Sequence, residues 1–276
     1  MAVIMNGKEI ADNFKKNIAY QIKKLPQPPR LAVVLVGNDP ASEIYISKKK
    51  AACNEVGIFS TTHFVPDGLS TDHITQIIND LNNRDHHGIL VQLPLPPYLD
   101  KIKILNKISP VKDVDCFTST NLGLLAQNSS LFEPCTPAAI ISILKHYEID
   151  IHGKNVVIIN DSIVVGRSLA MMLLNLQATP TICHKQTENL KEICLSSDII
   201  VSAVGKPDFK LTSDMVRKNA TVIDVGINRI GNKIIGDVDE GVKEKAGYLT
   251  PPSGGVGPVT CAMLMRNTLI AARNQV

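Results

Sequence analysis

The chain has 276 residues, room for one large domain or two modest ones, and its 44% hydrophobic and 20% charged residues can fill two ordinary globular cores. A formal net charge of +3, scattered along the sequence, argues against a nucleic-acid partner, and 4% aromatic residues with no Trp leave little for base stacking. The six cysteines include no Cys-x-x-Cys pair and no His-Glu-x-x-His occurs, so neither a metal site nor a disulfide framework is expected.

The first residues show no basic segment ahead of a long apolar run, and no apolar stretch is long enough to span a bilayer. A soluble cytoplasmic protein with no membrane partner is expected. In chain order, the spacing of Ile10, Phe14, Ile18 and Ile22 predicts a helix over 8–25. The continuous apolar run 31–36 reads as a buried parallel strand. Asp39 and Pro40 follow as N-cap and first residue of a helix that stops at Gly57. Strands over 59–65 and 88–91 flank a helix over 71–81, a spacing that implies right-handed crossovers and a parallel sheet. The proline-dense run 92–97 ends the strand in a stiff, extended segment. Turn-rich residues 110–137 are expected to connect two domains.

A second block begins with a helix over 137–147 and a strand over 155–160. Strands near 179–183, 198–202 and 221–226 follow, with helices between them. The glycine-rich segment 254–258 breaks the chain before a last amphipathic helix over 260–274, with Thr260 as its N-cap.

Residues 155–174 carry the sharpest chemical signal. They read as strand, tight turn and helix start, where a doubly wound domain holds a nucleotide pyrophosphate. Asn160 and Asp161 occupy positions where such turns carry glycine and a neutral or basic residue, so Asp161 would face phosphate. Ser162 can bond a phosphate or cap the helix, and a glycine is retained at the far end of the turn, at Gly166. After the next strand, Lys185 stands where NAD-preferring domains carry an acid, and its cation suits a 2′-phosphate. Asp161 opposes it. At an effective dielectric of about 20 each charge pair is worth on the order of a few kcal/mol, so charge does not decide between NADP and NAD. Gly205 and Ile227 sit at two further strand ends where glycine lets backbone approach a flat ring. Residues 254–258, ending in Pro258, offer a similar approach or a plain loop before a helix.

In the first block, Tyr45 and Lys49 are four apart and share a helix face. With Lys48 and Lys50 beside them this is either a solvated basic face or a proton-transferring one. Gln92 follows a strand at its carboxyl end, where parallel sheets bind ligands. Asp113 and Asp115 are two apart and share a face if the chain is extended. They form either a solvated acidic turn or a carboxylate site for an aminopyrimidine edge such as a pterin.

Taken together these motifs resemble the bifunctional methylenetetrahydrofolate dehydrogenase/methenyltetrahydrofolate cyclohydrolase family (FolD). The matching segments are 36–42 leading to Tyr45 and Lys49, 88–96, 112–115, 134–137, 165–167, 236–239 and 254–260, in order along nearly the whole chain. The resemblance implies an α/β protein of two domains with a cleft between them. One is an N-terminal folate-binding catalytic domain (1–120 plus 258–276). The other is a doubly wound Rossmann-type dinucleotide domain (121–257). It implies Lys49 as the catalytic lysine, Gln92 supporting it, Tyr45 bordering the folate, Asp115 anchoring the pterin, and Pro258 lining the substrate site. Asn160, Asp161, Ser162, Gly166, Lys185, Gly205, Ile227 and Thr260 would hold the cofactor. NADP is expected, with NAD possible, along with a tetrahydrofolate substrate, a homodimer and a cytoplasmic setting. Departures from the family pattern cluster on the cofactor side: Asn160-Asp161 for Gly-Arg, Ser168 for proline and Lys185 for serine. Nearer the folate, Cys116 replaces glycine. A cyclohydrolase alone, or an NAD-preferring dehydrogenase, is the alternative those departures raise.

Overall fold

The computed structural model describes residues 1–230 and 233–275; the side chains at 40, 41, 43–45, 48, 229, 230 and 233 lie outside that description. The chain runs β1 (Val3–Ile4), α1 (Gly7–Ile22), β2 (Arg30–Val36), α2 (Pro40–Val56), β3 (Phe59–Val65), α3 (Thr71–Asn82), β4 (Gly88–Val91), α4 (Lys101–Leu105), α5 (Ser119–Ala126) and α6 (Cys135–His146). It continues through β5 (Asn155–Ile159), α7 (Gly166–Asn175), β6 (Thr179–Cys183), α8 (Leu190–Leu195), β7 (Ile199–Ser202), β8 (Thr221–Asp224), β9 (Asn228–Ile230), β10 (Lys233–Ile235), β11 (Tyr248–Leu249) and α9 (Val256–Arg273). Two compact units result: Met1–Asp12 with Thr136–Thr260, and Asn13–Cys135 with Cys261–Val276.

The second of these holds a parallel three-stranded sheet in the order β3-β2-β4. β2 is central, so its apolar run is sealed on both faces, with residues 31–36 at most 4% exposed. Asp39 Oδ2 accepts the Ser42 N–H at 3.0 Å and its hydroxyl at 2.6 Å, which caps α2, and Gly57 at φ +90° stops that helix. α3 buries Ile74, Ile78 and Leu81, one stripe at helical spacing. Each contributes roughly 1.5–3 kcal/mol when fully buried. A bridge between Ile89 and Asp113 lays the segment after α4 along the free edge of β4.

The first unit holds a six-stranded parallel sheet in the order β1-β11-β8-β7-β5-β6, and β9 and β10 form a separate antiparallel pair. From β5 the chain passes to β6 on one side and then to β7 on the other. The strand order therefore reverses between β5 and β7, the place where doubly wound sheets open a ligand crevice.

Two expectations change, and one strand is additional. The last helix begins at Val256, and Thr260 lies inside it, its hydroxyl donating to the Val256 carbonyl at 3.1 Å instead of capping an end. The turn-rich stretch contains a regular helix, α5, capped by the Thr118 side chain accepting from Asn121 N–H at 3.2 Å. β1, two residues long, joins the sheet by pairing with β11. Among the described residues no helix is long and apolar enough to cross a membrane, and no group of three His, Cys, Asp or Glu side chains could hold a metal.

Candidate active site

Lys49 projects from the third turn of α2 and is half-buried. Its Nζ donates to Gln92 Oε1 at 3.0 Å. Gln92 is fixed twice: its N–H donates to the Val34 carbonyl at 2.9 Å, and its Nε2 to the Leu93 carbonyl at 2.6 Å. The second bond leaves only the amide oxygen to face the lysine nitrogen. The strand end thus places an acceptor, held stiffly, against the lysine. The side chain of Tyr45 lies outside the described residues.

The paired carboxylates do not share a face. Asp113 is buried and accepts the N–H groups of Phe117 at 3.1 Å and Thr118 at 2.8 Å, and the Asn121 amide at 2.9 Å. It is a structural cap. The cause is backbone: a 3-10 turn over Pro110–Lys112 precedes it and Cys116 at φ +62° follows, so the segment is not extended. Asp115 instead faces Lys49 and the Cys135 thiol. Burial raises its pKa, while Lys49 and the Cys135 hydrogen bond pull it down. Burial likewise pushes the Cys135 thiol well up, with Asp115 adding to the rise, so it stays a donor. Asn267, buried on α9, ties this loop together by donating to the carbonyls of Val114 and Glu133, each at 2.8 Å. Lys49, Gln92 and Asp115 therefore converge from a helix, a strand end and a loop.

In the other unit, the turn after β5 is organised by Asn160. Its Oδ1 accepts the Ser162 N–H at 2.8 Å, the Ser162 hydroxyl at 2.6 Å and the Gly166 N–H at 3.1 Å. Its Nδ2 donates to the Ala203 carbonyl at 2.7 Å, across the point where the strand order reverses. Gly166 is required because a Cβ there would lie 1.9 Å from the Asn160 carbonyl oxygen. Asp161 is exposed, and Arg167 donates from Nε to its carbonyl at 2.9 Å, which brings a cation to the same turn. Lys185 is exposed in a turn closed by the Thr187 N–H donating to the His184 carbonyl at 2.9 Å.

Gly205 and Ile227 come together at the carboxyl ends of β7 and β8. A Cβ on Gly205 would stand 4.0 Å from the Ile227 N and O, and Ile227 is 44% exposed. Beneath them lie two buried carboxylates. Asp237 accepts the Ser202 hydroxyl at 2.8 Å and the N–H groups of Val204 at 2.7 Å and Gly205 at 3.0 Å. Asp224 accepts the N–H groups of Asp237 at 3.0 Å and Val238 at 3.2 Å, and burial raises its pKa to about 6. Spacing alone does not single out either residue; the usable signal was glycine at 226 and 236, each against a carboxylate that a Cβ would strike. Pro258 and Thr260 fall in the first turns of α9, after Gly254 at φ +82°.

A family model described as the catalytic domain of tetrahydrofolate dehydrogenase/cyclohydrolase matches residues 5–115, and that family's NAD(P)-binding domain matches 134–276. The chain belongs to the tetrahydrofolate dehydrogenase/cyclohydrolase family. A bifunctional FolD protein of Nitratiruptor is 46% identical over 99% of this chain and 98% of that protein. The crystal structure of the bifunctional FolD enzyme of Campylobacter jejuni superposes with a TM-score of 0.94 at 42% identity, covering 100% of both chains. The family member of Trypanosoma brucei, solved in complex with NADP cofactor and an inhibitor, gives a TM-score of 0.94 at 32% identity over 99% of this chain and 98% of that one.

Proposed function

We propose that the protein oxidises 5,10-methylenetetrahydrofolate to 5,10-methenyltetrahydrofolate with NADP, and hydrolyses the product to 10-formyltetrahydrofolate. The observation that carries this reading is the convergence of Lys49, Gln92 and Asp115 in a chain that also holds a strand-turn-helix dinucleotide motif. Folate chemistry falls to 1–120 plus 258–276 and the dinucleotide to 121–257. The protein acts as a homodimer in the cytoplasm.

The residues fit a dinucleotide. The open, exposed backbone at Gly205 beside Ile227 accommodates a flat ring, and Lys185 offers a cation to a 2′-phosphate. NADP, when bound, supplies the hydride acceptor. The chain supplies position: Asp115 accepts hydrogen bonds from the N–H edge of the pterin, Tyr45 and Pro258 border the substrate, and Thr260 borders the cofactor. In hydrolysis, a water oxygen bonds to the methenyl carbon. Lys49, in its neutral form, takes one proton from that water and delivers it to N5 as the carbon–N5 bond breaks, and the second proton leaves to solvent as the hydroxyl on that carbon becomes the formyl carbonyl. Gln92 holds the lysine nitrogen in place through that exchange.

Purified protein given methylenetetrahydrofolate should generate reduced cofactor absorbance with NADP in preference to NAD. Silence with both cofactors removes the dehydrogenase. Lys49→Ala should abolish methenyltetrahydrofolate hydrolysis; a variant as fast as the parent would show that Lys49 is not the proton carrier. Lys185→Ala should narrow the preference for NADP, and an unchanged preference would make that lysine a bystander.

A further inference from the structure

The loop after β7 is fastened by a residue that no strand-end glycine explains. Asp237 has no exposed surface, and the three donors to its carboxylate, the Ser202 hydroxyl and the N–H groups of Val204 and Gly205, are all neutral. A buried carboxylate is expensive unless its lone pairs are met, and these three charge-assisted bonds meet them. The carbonyl of the same residue accepts the Leu211 N–H at 2.8 Å. One residue therefore closes the 204–211 loop at both ends. The loop after β8 rests on the same group, since a Cβ at Gly226 would stand 2.1 Å from the Asp237 carboxyl carbon.

These two loops end adjacent parallel strands on the carboxyl side, where such sheets hold ligands. Gly205, exposed at φ +61°, and Ile227 form a ledge with little side chain on one half and an apolar surface on the other. Such a ledge suits the face of a heteroaromatic ring. We propose that Asp237 is a positioning residue for hydride transfer, its carboxylate setting the placement of the Gly205–Ile227 ledge against which the nicotinamide lies. The proposal rests on the dinucleotide reading above. Asp237 touches neither ring nor folate; it acts through the loop backbone. The pyrophosphate turn is organised by a different residue, Asn160, so the two ends of a dinucleotide are served by different groups.

Asp237→Asn tests this, because an amide nitrogen must then face at least one of the three donors. The turnover number for hydride transfer should fall about 100-fold, the size of effect a displacement of ~1 Å produces. Affinity for 2′-phospho-ADP-ribose, which carries the adenosine and pyrophosphate but no nicotinamide, should stay within about twofold of the parent. Ser202→Ala removes a single donor from a small buried site and should show a weaker loss of the same kind. It decides the matter if Asp237→Asn fails to melt cooperatively. Equal losses of affinity for NADP and for the fragment would mean a general structural role and overturn the proposal. So would unchanged turnover in a folded variant. A parent protein that reduces no NADP defeats the dinucleotide reading itself, a result distinguishable from either.

Discussion

Asn160 stands at the carboxyl end of β5, where a glycine would leave the turn's donors open. Its amide oxygen collects two backbone N–H groups and one hydroxyl beside the start of α7, the kind of donors a phosphate uses at a helix N-terminus. A pyrophosphate bound at this turn would compete with the carboxamide for one set of partners. Asn160 is not among the residues with positive φ, so alanine fits its backbone. Asn160→Ala is expected to tighten NADP binding about tenfold, equivalent to ~1.4 kcal/mol. It should also lower thermal stability by about 1 kcal/mol, as the turn loses its side-chain cap. A fluorescence titration measures the first effect, and a dissociation constant that rises or stays put would show that the amide is no competitor.

At the scale of elements, the turn over 113–116 shows how a departure from a glycine position is absorbed. Cys116 holds a left-handed backbone that costs a non-glycine residue roughly 1–2 kcal/mol. Its buried Sγ contributes in return, donating to the Phe132 carbonyl at 3.3 Å. Cys116→Ala keeps the strain and loses the contact, whereas Cys116→Gly loses both. Alanine should therefore destabilise more than glycine, by about 1 kcal/mol in chemical unfolding; the reverse order would mean that the backbone there is not strained. Such a turn also marks the limit of what the sequence reveals. β2, β3 and β4 are legible because a sealed parallel strand needs an unbroken apolar run, and α2 because Asp39, Pro40 and Gly57 punctuate it. β1 and β11 are not, since two residues carry no period and their pairing is set by contacts far along the chain. Lys49, Gln92 and Asp115 were legible as a set through family resemblance. The division of labour between Asp113 and Asp115 was not, because it depends on a φ angle that a cysteine ordinarily avoids.

The whole molecule should respond to acid through three histidines. His63, His86 and His87 all have pKa values lowered from 6.5, first by burial and then by neighbouring charges that include Arg84, Lys112 and Arg30, with Asp85 opposing at the latter two. The unfolded chain therefore takes up protons that the folded protein refuses, and stability is lost as pH falls through and below 6.5. Asp224 has the opposite sign: its folded value of about 6 exceeds 3.8, so it favours the folded state as pH drops across that interval. Asp115, also raised, acts in the same sense. Between about pH 7.5 and 6 the three histidines outweigh Asp224, whose titration enters only toward the lower end. The melting temperature should fall across that range, and replacing His63 and His86 together by Gln should flatten the slope. A slope unchanged by the double substitution would place the acid sensitivity elsewhere.

The pairing of Val3 with Tyr248 and the bonds of Asn267 to Val114 and Glu133 carry a consequence for biogenesis. As the chain leaves the ribosome, β1 waits for a neighbour made only after residues 5–247 have emerged. The 13–135 stretch in turn waits for residues 261–276, made later still. Neither unit can close until these later segments have emerged, so the nascent chain displays unsealed apolar strands while everything between is made, an invitation to chaperones and to aggregation alike.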